Sequence, residues 1–174
     1  MSQLSYVVLA AAILTPLSVI GAVLHIAAHA FGKITLFFAA GAIYTAAHKT
    51  EVSQLDGIGR RMPWTMGAFT IGALSLIGVP PLAGFVSTWY IVQGALAAEM
   101  PLAVAVLLAS TLLNAAYFMP IVYAAFLRAP PEGEAHGEAP LASVIALVAS
   151  ASLTVLFFFF PDVPLALAGA LVDR

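Results

Sequence analysis

Cysteine is missing from this chain altogether. Its absence excludes disulfides, iron–sulfur ligation and thiolate zinc sites. Charge is nearly missing as well. Only 8% of the 174 residues are Asp, Glu, Lys or Arg, where a soluble domain carries about 25%. Six basic and eight acidic residues give a net charge of -2, so there is no basic field to attract nucleic acid. No Lys or Arg precedes the first apolar run. A cleavable signal peptide needs a basic leading segment, so that run reads as mature protein.

What remains is apolar: 63% of the chain is hydrophobic. No water-soluble surface can be built from this composition, and the length fits one membrane domain over residues 1–174. Only helices and closed barrels satisfy their backbone in lipid. The apolar runs do not alternate with period two, so they read as helices and not barrel strands. The expected architecture is an all-α integral membrane protein.

A bilayer core takes roughly 20 apolar residues to cross. The run at 4–14 is too short and reads as a partial span, as if the chain had been cut inside a larger protein. Full spans are expected at 17–47, 63–79, 82–98, 102–127 and 141–160. Pro16 and Pro63 stand where helices start, and Pro120 falls inside the 102–127 run as a kink site. Polar connections are expected at 48–62, with Lys49, Glu51, Asp56, Arg60 and Arg61, and at 128–140, with three Glu, His136 and three Pro. The first connection holds more Lys and Arg than the second, which places it on the cytoplasmic side.

His25, His29 and Lys33 are spaced by four. Each step of four advances about 400° around a helix, so the three side chains share one face over about 12 Å. Lys33 falls near the middle of its span, where a charge costs at least about 2.5–3.5 kcal/mol. Histidine titrates near neutral pH. Three titratable groups one turn apart, bridged by water, form a plausible proton relay. The plainer alternative is that the histidines make ordinary interhelical hydrogen bonds while Lys33 reaches for an interface. A third is metal binding by the His-x3-His pair. Only four histidines occur, His48 and His136 fall in connections, and no buried carboxylate accompanies the pair.

The segment GVPPLAGFVST at 78–88 breaks an apolar stretch with proline and glycine. Either a membrane helix is interrupted here, exposing backbone polar groups at membrane depth, or two spans meet in an extramembrane turn. Pro80, Pro81, Gly84, Ser87 and Thr88 are the candidates it offers. Asn114, Tyr117 and Tyr123 put polar groups on the 102–127 run, as packing groups or as part of a pathway.

These residues carry a family resemblance. HIAAHAFGKITLFFAAG at 25–41 resembles the signature of the antiporter-like proton-translocating subunits. That family includes subunits of respiratory complex I, of membrane-bound hydrogenases and of Mrp-type multisubunit sodium/proton antiporters. SQLSY at 2–6 resembles the element upstream of the signature, and 78–87 resembles the family's second broken helix. LLNAAYFMPIVY at 112–123 looks closest to the branch that holds the D-type Mrp antiporter subunits and the hydrogenases. The resemblance runs in order over about 2–128 and covers only the C-terminal one of the family's two inverted repeats. It implies either a fragment or a split gene whose other half is a separate polypeptide.

By the same resemblance, Lys33 matches the family's central lysine and His25 and His29 the histidines leading to it. The family's next ionisable residue falls at position 88, where this chain has Thr, which cannot hold a charge. The implied function is proton or cation movement as a subunit, or half-subunit, of a larger complex in the cell membrane. Other membrane subunits and lipid would be its partners, and no cofactor is implied. The competing reading is a non-conducting structural subunit, favoured by Thr88 and the missing repeat.

Overall fold

The computed structural model describes residues 2–131 and 137–172. Glu132, Glu134 and His136, expected in the second polar connection, lie outside the described residues. Among the described residues the chain is helical and contains no strand. The helices are α1 (Ser2–Ile13), α2 (Pro16–Ala47), α3 (Ile58–Arg61), α4 (Pro63–Ile77), α5 (Ala83–Ala97), α6 (Pro101–Leu127), α7 (Leu141–Phe159) and α8 (Asp162–Val172).

The central helix is α2, which packs against α1, α4, α5, α7 and α8. Its start is fixed locally. Ser18 N donates to Thr15 Oγ1 at 3.2 Å, and Thr15 N donates to Ser18 Oγ at 3.0 Å. This reciprocal capping box, with Pro16 at the first helical position, satisfies amides that would otherwise be stranded. With 32 residues α2 is about 48 Å long, more than the roughly 30 Å of a bilayer core.

Among the described residues three helices are long and apolar enough to cross a membrane: α2, α6 and α7. The sequence led us to expect five full spans, counting 63–79 and 82–98 separately. Among the described residues those two are not confirmed as full spans. Helices α4 and α5 have 15 residues each, about 22 Å, which is short of a bilayer core. They lie end to end along α2. Met66 of α4 shares a cluster with Ala42 and Ile43 near the C-terminal end of α2. A Cβ on Gly72 would stand 3.2 Å from Gly32 O, and one on Gly32 would stand 3.1 Å from Leu76. Past the break, Ser87 of α5 meets His25. A Cβ on Gly21 would lie 2.7 Å from Ile91, and one on Gly94 would lie 2.5 Å from Ser18 N. The contacts move steadily toward the N-terminus of α2, so α4 and α5 are two halves of one broken helix antiparallel to it. Glycines at these crossings let the backbones approach closely, as small residues do in membrane bundles.

The break has a local cause. Gly78 adopts the left-handed conformation at φ 90°, and its N–H donates to Leu74 O and Ser75 O at 3.0 and 3.1 Å. That closes α4 in the manner of a glycine C-cap. Pro80 and Pro81, joined by a cis peptide, have no N–H to continue a helix. At the other end, Trp64 N donates to Glu138 Oε2 at 3.0 Å, and the Thr65 hydroxyl donates to Glu138 as well. A carboxylate at a helix N-terminus satisfies free amides and complements the helix dipole.

Helix α6 is continuous through Pro120 and stands apart. It packs on α4 and α5 but leaves Leu102, Leu112, Leu113, Tyr117 and Tyr123 exposed. The 51–61 connection ties down its C-terminal end. Gly57 N donates to Ala124 O at 2.9 Å, and Arg128 Nη1 meets Asp56 Oδ1 at 3.1 Å.

Candidate functional site

Beside the Pro/Gly break, the N-terminal third of α2 meets polar groups from three other helices. His25 is the centre of this contact and is 4% exposed. Its Nδ1 lies 2.9 Å from Ser87 Oγ on α5, and its Nε2 lies 3.1 Å from Gln3 Oε1 on α1. The Tyr6 ring packs on it with centroids 5.2 Å apart. Gln3 Nε2 donates to Leu76 O at the end of α4 at 2.8 Å, and Ser87 Oγ donates to Gly84 O at 3.0 Å. One hydrogen-bonded chain therefore links α1, α2 and both halves of the broken helix.

His29 follows one turn later. Its ring is parallel to that of His25, with centroids 6.4 Å apart. That separation is too long for a direct ring-to-ring hydrogen bond and leaves room for a bridging water. His29 Nδ1 is buried and has no hydrogen-bond partner in the protein. Lys33 continues the row, with its Nζ 5.6 Å from the Phe37 ring centroid. The spacing-by-four expectation thus holds as geometry: the three side chains follow one face of α2.

Burial of Lys33 does not hold within this chain, where it is exposed. The face of α2 carrying Lys33, Ile34, Phe37 and Phe38 is left uncovered, because α6 stands away from it. Between α2 and α6 lies an open cavity of about 610 Å³. His29, Lys33, Gln3, Asn114 and Tyr117 line it, and it reaches Lys49, Thr50 and Glu51 in the connection after α2. Asn114 Nδ2 on α6 is buried without a protein partner, like His29 Nδ1. Buried polar atoms are nearly always hydrogen-bonded, and a cavity of this size, with His29, Lys33, Gln3 and Asn114 set among mostly apolar side chains, has room for water beside them.

The remaining candidates divide at the break. Gly84 is buried against α4, and a Cβ there would sit 1.8 Å from Ser75 O. Its N–H donates to Ser75 Oγ at 3.2 Å. Thr88 is half-buried, and its Oγ1 stands 3.6 Å from where a Cβ on Gly78 would be. Pro80 and Pro81 are exposed on the connecting turn, outside the network. Tyr117 is exposed and packs edge-on against Phe118. Among the described residues no three His, Asp or Glu side chains gather around one point. Both His25 nitrogens already have partners, which leaves the His25–His29 pair poorly placed to share a metal.

Gln3 and Tyr6 entered the sequence reading only within the 2–6 stretch, and Ser75 not at all. The signal for Gln3 was there: an amide inside an apolar helix needs a partner on a neighbouring helix. Ser75 gave no such signal, because serine is common in membrane helices.

Residues 1–114 match the family model described as NADH:quinone oxidoreductase/Mrp antiporter, TM. The N-type subunit of the NADH-quinone oxidoreductase of Desulforudis audaxviator is 44% identical over 140 residues, covering 80% of this chain and 28% of that protein. The D-type subunit of the Na(+)/H(+) antiporter of Alkalihalophilus pseudofirmus is 37% identical over 125 residues, covering 72% of this chain and 25% of that protein. A chain in the structure of the Mrp complex from Dietzia sp. DQ12-45-1b superposes with a TM-score of 0.88 at 24% identity, covering 98% of this chain and 40% of that one. The chain thus spans about a quarter of the length of these sequence relatives. With the match over its first 114 residues and a fold of apolar helices packed on α2, one of them broken, this membrane-embedded chain belongs to the NADH:quinone oxidoreductase/Mrp antiporter transmembrane family.

Proposed function

We propose that this chain moves protons as the C-terminal part of an antiporter-like subunit, working inside a larger respiratory, hydrogenase or Mrp-type complex in the cell membrane. The membrane crossings are α2, the broken pair α4–α5 acting as one, α6 and α7. The chain is a single membrane domain, and a separate polypeptide or a missing segment supplies the other inverted repeat. Protons pass along Lys33, His29 and His25, bridged by water in the cavity between α2 and α6. Asn114 and Tyr117 order that water from the α6 side. Ser87, Gly84 and Thr88 at the break, beside Pro80 and Pro81, form the next stage.

The observation that carries this reading is the pairing of two stranded polar atoms with one cavity. His29 Nδ1 and Asn114 Nδ2 are buried without protein partners, and their side chains line the same cavity as Lys33. Water there would complete both atoms and join the titratable groups. Burying such atoms without a use costs about 1–3 kcal/mol each, so a purely structural site would not keep them. Proton flux in vesicles containing the chain within its assembled complex tests the reading. Lys33→Ala is expected to abolish or sharply reduce coupled flux, and unchanged flux would remove Lys33 from the pathway.

Thr88 favours a second reading, in which the chain packs in the complex without conducting. Thr88→Lys separates the two. A gain of flux means a pathway short of one charged station, and no change in an assembled complex supports a scaffold.

A further inference from the structure

The network around His25 can be read by counting hydrogens. Leu76 O and Gly84 O can only accept. Gln3 gives its amide nitrogen to Leu76 O at 2.8 Å, so its oxygen faces His25 Nε2, and Nε2 must carry a hydrogen. The Ser87 hydroxyl has one hydrogen, and two acceptors compete for it. Gly84 O lies 3.0 Å away and His25 Nδ1 lies 2.9 Å away. If the hydrogen points at Gly84 O, Nδ1 must itself donate to Ser87 Oγ. His25 is then an imidazolium, and every contact in the network is a hydrogen bond. If His25 is neutral with its hydrogen on Nε2, the bare Nδ1 takes the Ser87 hydrogen and Gly84 O loses it.

The other neutral tautomer is disfavoured. It sets the Nε2 lone pair against Gln3 Oε1, or requires the buried Gln3 amide to flip and press its oxygen on Leu76 O. Turning a hydroxyl moves no heavy atom.

We propose that Ser87 is a positioning residue that reads the charge on His25. It bonds the Gly84 carbonyl when His25 is protonated and swings to Nδ1 when His25 is neutral. Gln3 makes the switch unambiguous by pinning the hydrogen on Nε2. One proton is exchanged, at Nδ1, with water, which can carry it on toward His29. Ser87 keeps its own hydrogen, and no electrons move.

The hydrogen bond that comes and goes sits in the first turn of α5, where that turn meets the end of α4. Gly84 N donates to Ser75 Oγ at 3.2 Å at the same place. A charge on α2 is thereby transmitted to the junction of the broken helix. The groups facing His25 are Tyr6 and Gln3 from α1, Ser87 from α5 and His29 on α2 itself, with Lys33 a turn beyond His29. From α4 the Leu76 carbonyl reaches the network through Gln3, and the Ser75 hydroxyl through Gly84 N. The described carboxylates, Glu51, Asp56, Glu99, Glu138 and Asp162, all lie in connections or at helix ends. Among the described residues none faces His25 to neutralise its charge in place of the switch.

This inference rests on the reading of His25 as a proton carrier, and its test does not depend on flux. The full chain, labelled with 15N in histidine and 13C at glycine carbonyls, is placed in vesicles of phosphatidylcholine and phosphatidylglycerol. Solid-state NMR then follows it across pH. We expect neutral His25 to carry its hydrogen on Nε2, and the Gly84 carbonyl resonance to step together with the His25 titration. Ser87→Ala should abolish the Gly84 step while His25 still titrates, and Ser87→Thr, which keeps the hydroxyl, should restore it.

A neutral His25 with its hydrogen on Nδ1 overturns the proposal. So does a Gly84 resonance indifferent to His25, or a His25 that never changes protonation. If Ser87→Ala fails to fold, the titration of the unaltered chain decides alone. The two readings fail separately. Flux that survives Lys33→Ala beside an intact Gly84 step removes the relay and keeps the switch. A flat Gly84 beside flux lost in Lys33→Ala does the reverse.

Discussion

Gly84→Ala probes the junction of the broken helix directly. The added methyl carbon would sit 1.8 Å from Ser75 O, a backbone atom that cannot rotate away. Carbon–oxygen contacts settle no closer than about 3.3 Å, so α4 and α5 must separate locally by about 1.5 Å. Overpacking in a filled interior costs about 1–3 kcal/mol, and a clash against backbone belongs at or above the top of that range. Alanine regains about 1 kcal/mol of helix propensity over glycine. The net expectation is a loss of at least about 2 kcal/mol. Gly41 is the internal control, because a Cβ there meets nothing within 4 Å. Gly41→Ala should therefore be neutral or stabilising by up to about 1 kcal/mol. Unfolding by sodium dodecyl sulfate in mixed micelles, read from Trp64 and Trp89 fluorescence, measures both. If Gly84→Ala unfolds at the same denaturant level as Gly41→Ala, the close approach of the two half-helices is wrong.

Two further substitutions test the cap and the cavity. Thr15→Ala removes the capping hydroxyl of α2 together with its 3.2 Å bond to Gly94 O, and should cost about 1–2 kcal/mol in the same titration. A stability equal to the unaltered chain would mean that the capping box contributes nothing. Asn114→Leu breaks no protein hydrogen bond, so the chain should unfold where it did before, yet proton flux should fall about tenfold, the equivalent of about 1.4 kcal/mol on a barrier. Flux left untouched would remove Asn114 from the water-bearing path.

Much of the site was legible because it follows from one helix. Spacing by four puts His25, His29 and Lys33 on one face whatever packs around them. The break at 78–82 was legible as chemistry, since proline without an N–H stops a helix in any setting. Its meaning was not, because a turn between spans and an interruption within one have the same local sequence. Partners along α2 decide between them: Gly72 beside Gly32, Ile91 beside Gly21, Gly94 beside Ser18. These contacts cross long stretches of sequence and leave no periodic trace. An amide at Gln3 signals some partner on a neighbouring helix, but which partner depends on α1 lying beside both His25 and Leu76. The exposure of Lys33 depends on where α6 stands, which composition does not encode.

The ends of the broken helix are held by quite different means. Glu138 grips the first amide and a hydroxyl of α4, and Thr15 holds the Gly94 carbonyl near the far end of α5. A rod clamped at both tips and severed in the middle has its slack only at the cut. Mechanical work delivered through the membrane part of this chain is thus focused on the few residues from Gly78 to Leu82, one turn of helix away from the buried imidazole of His25.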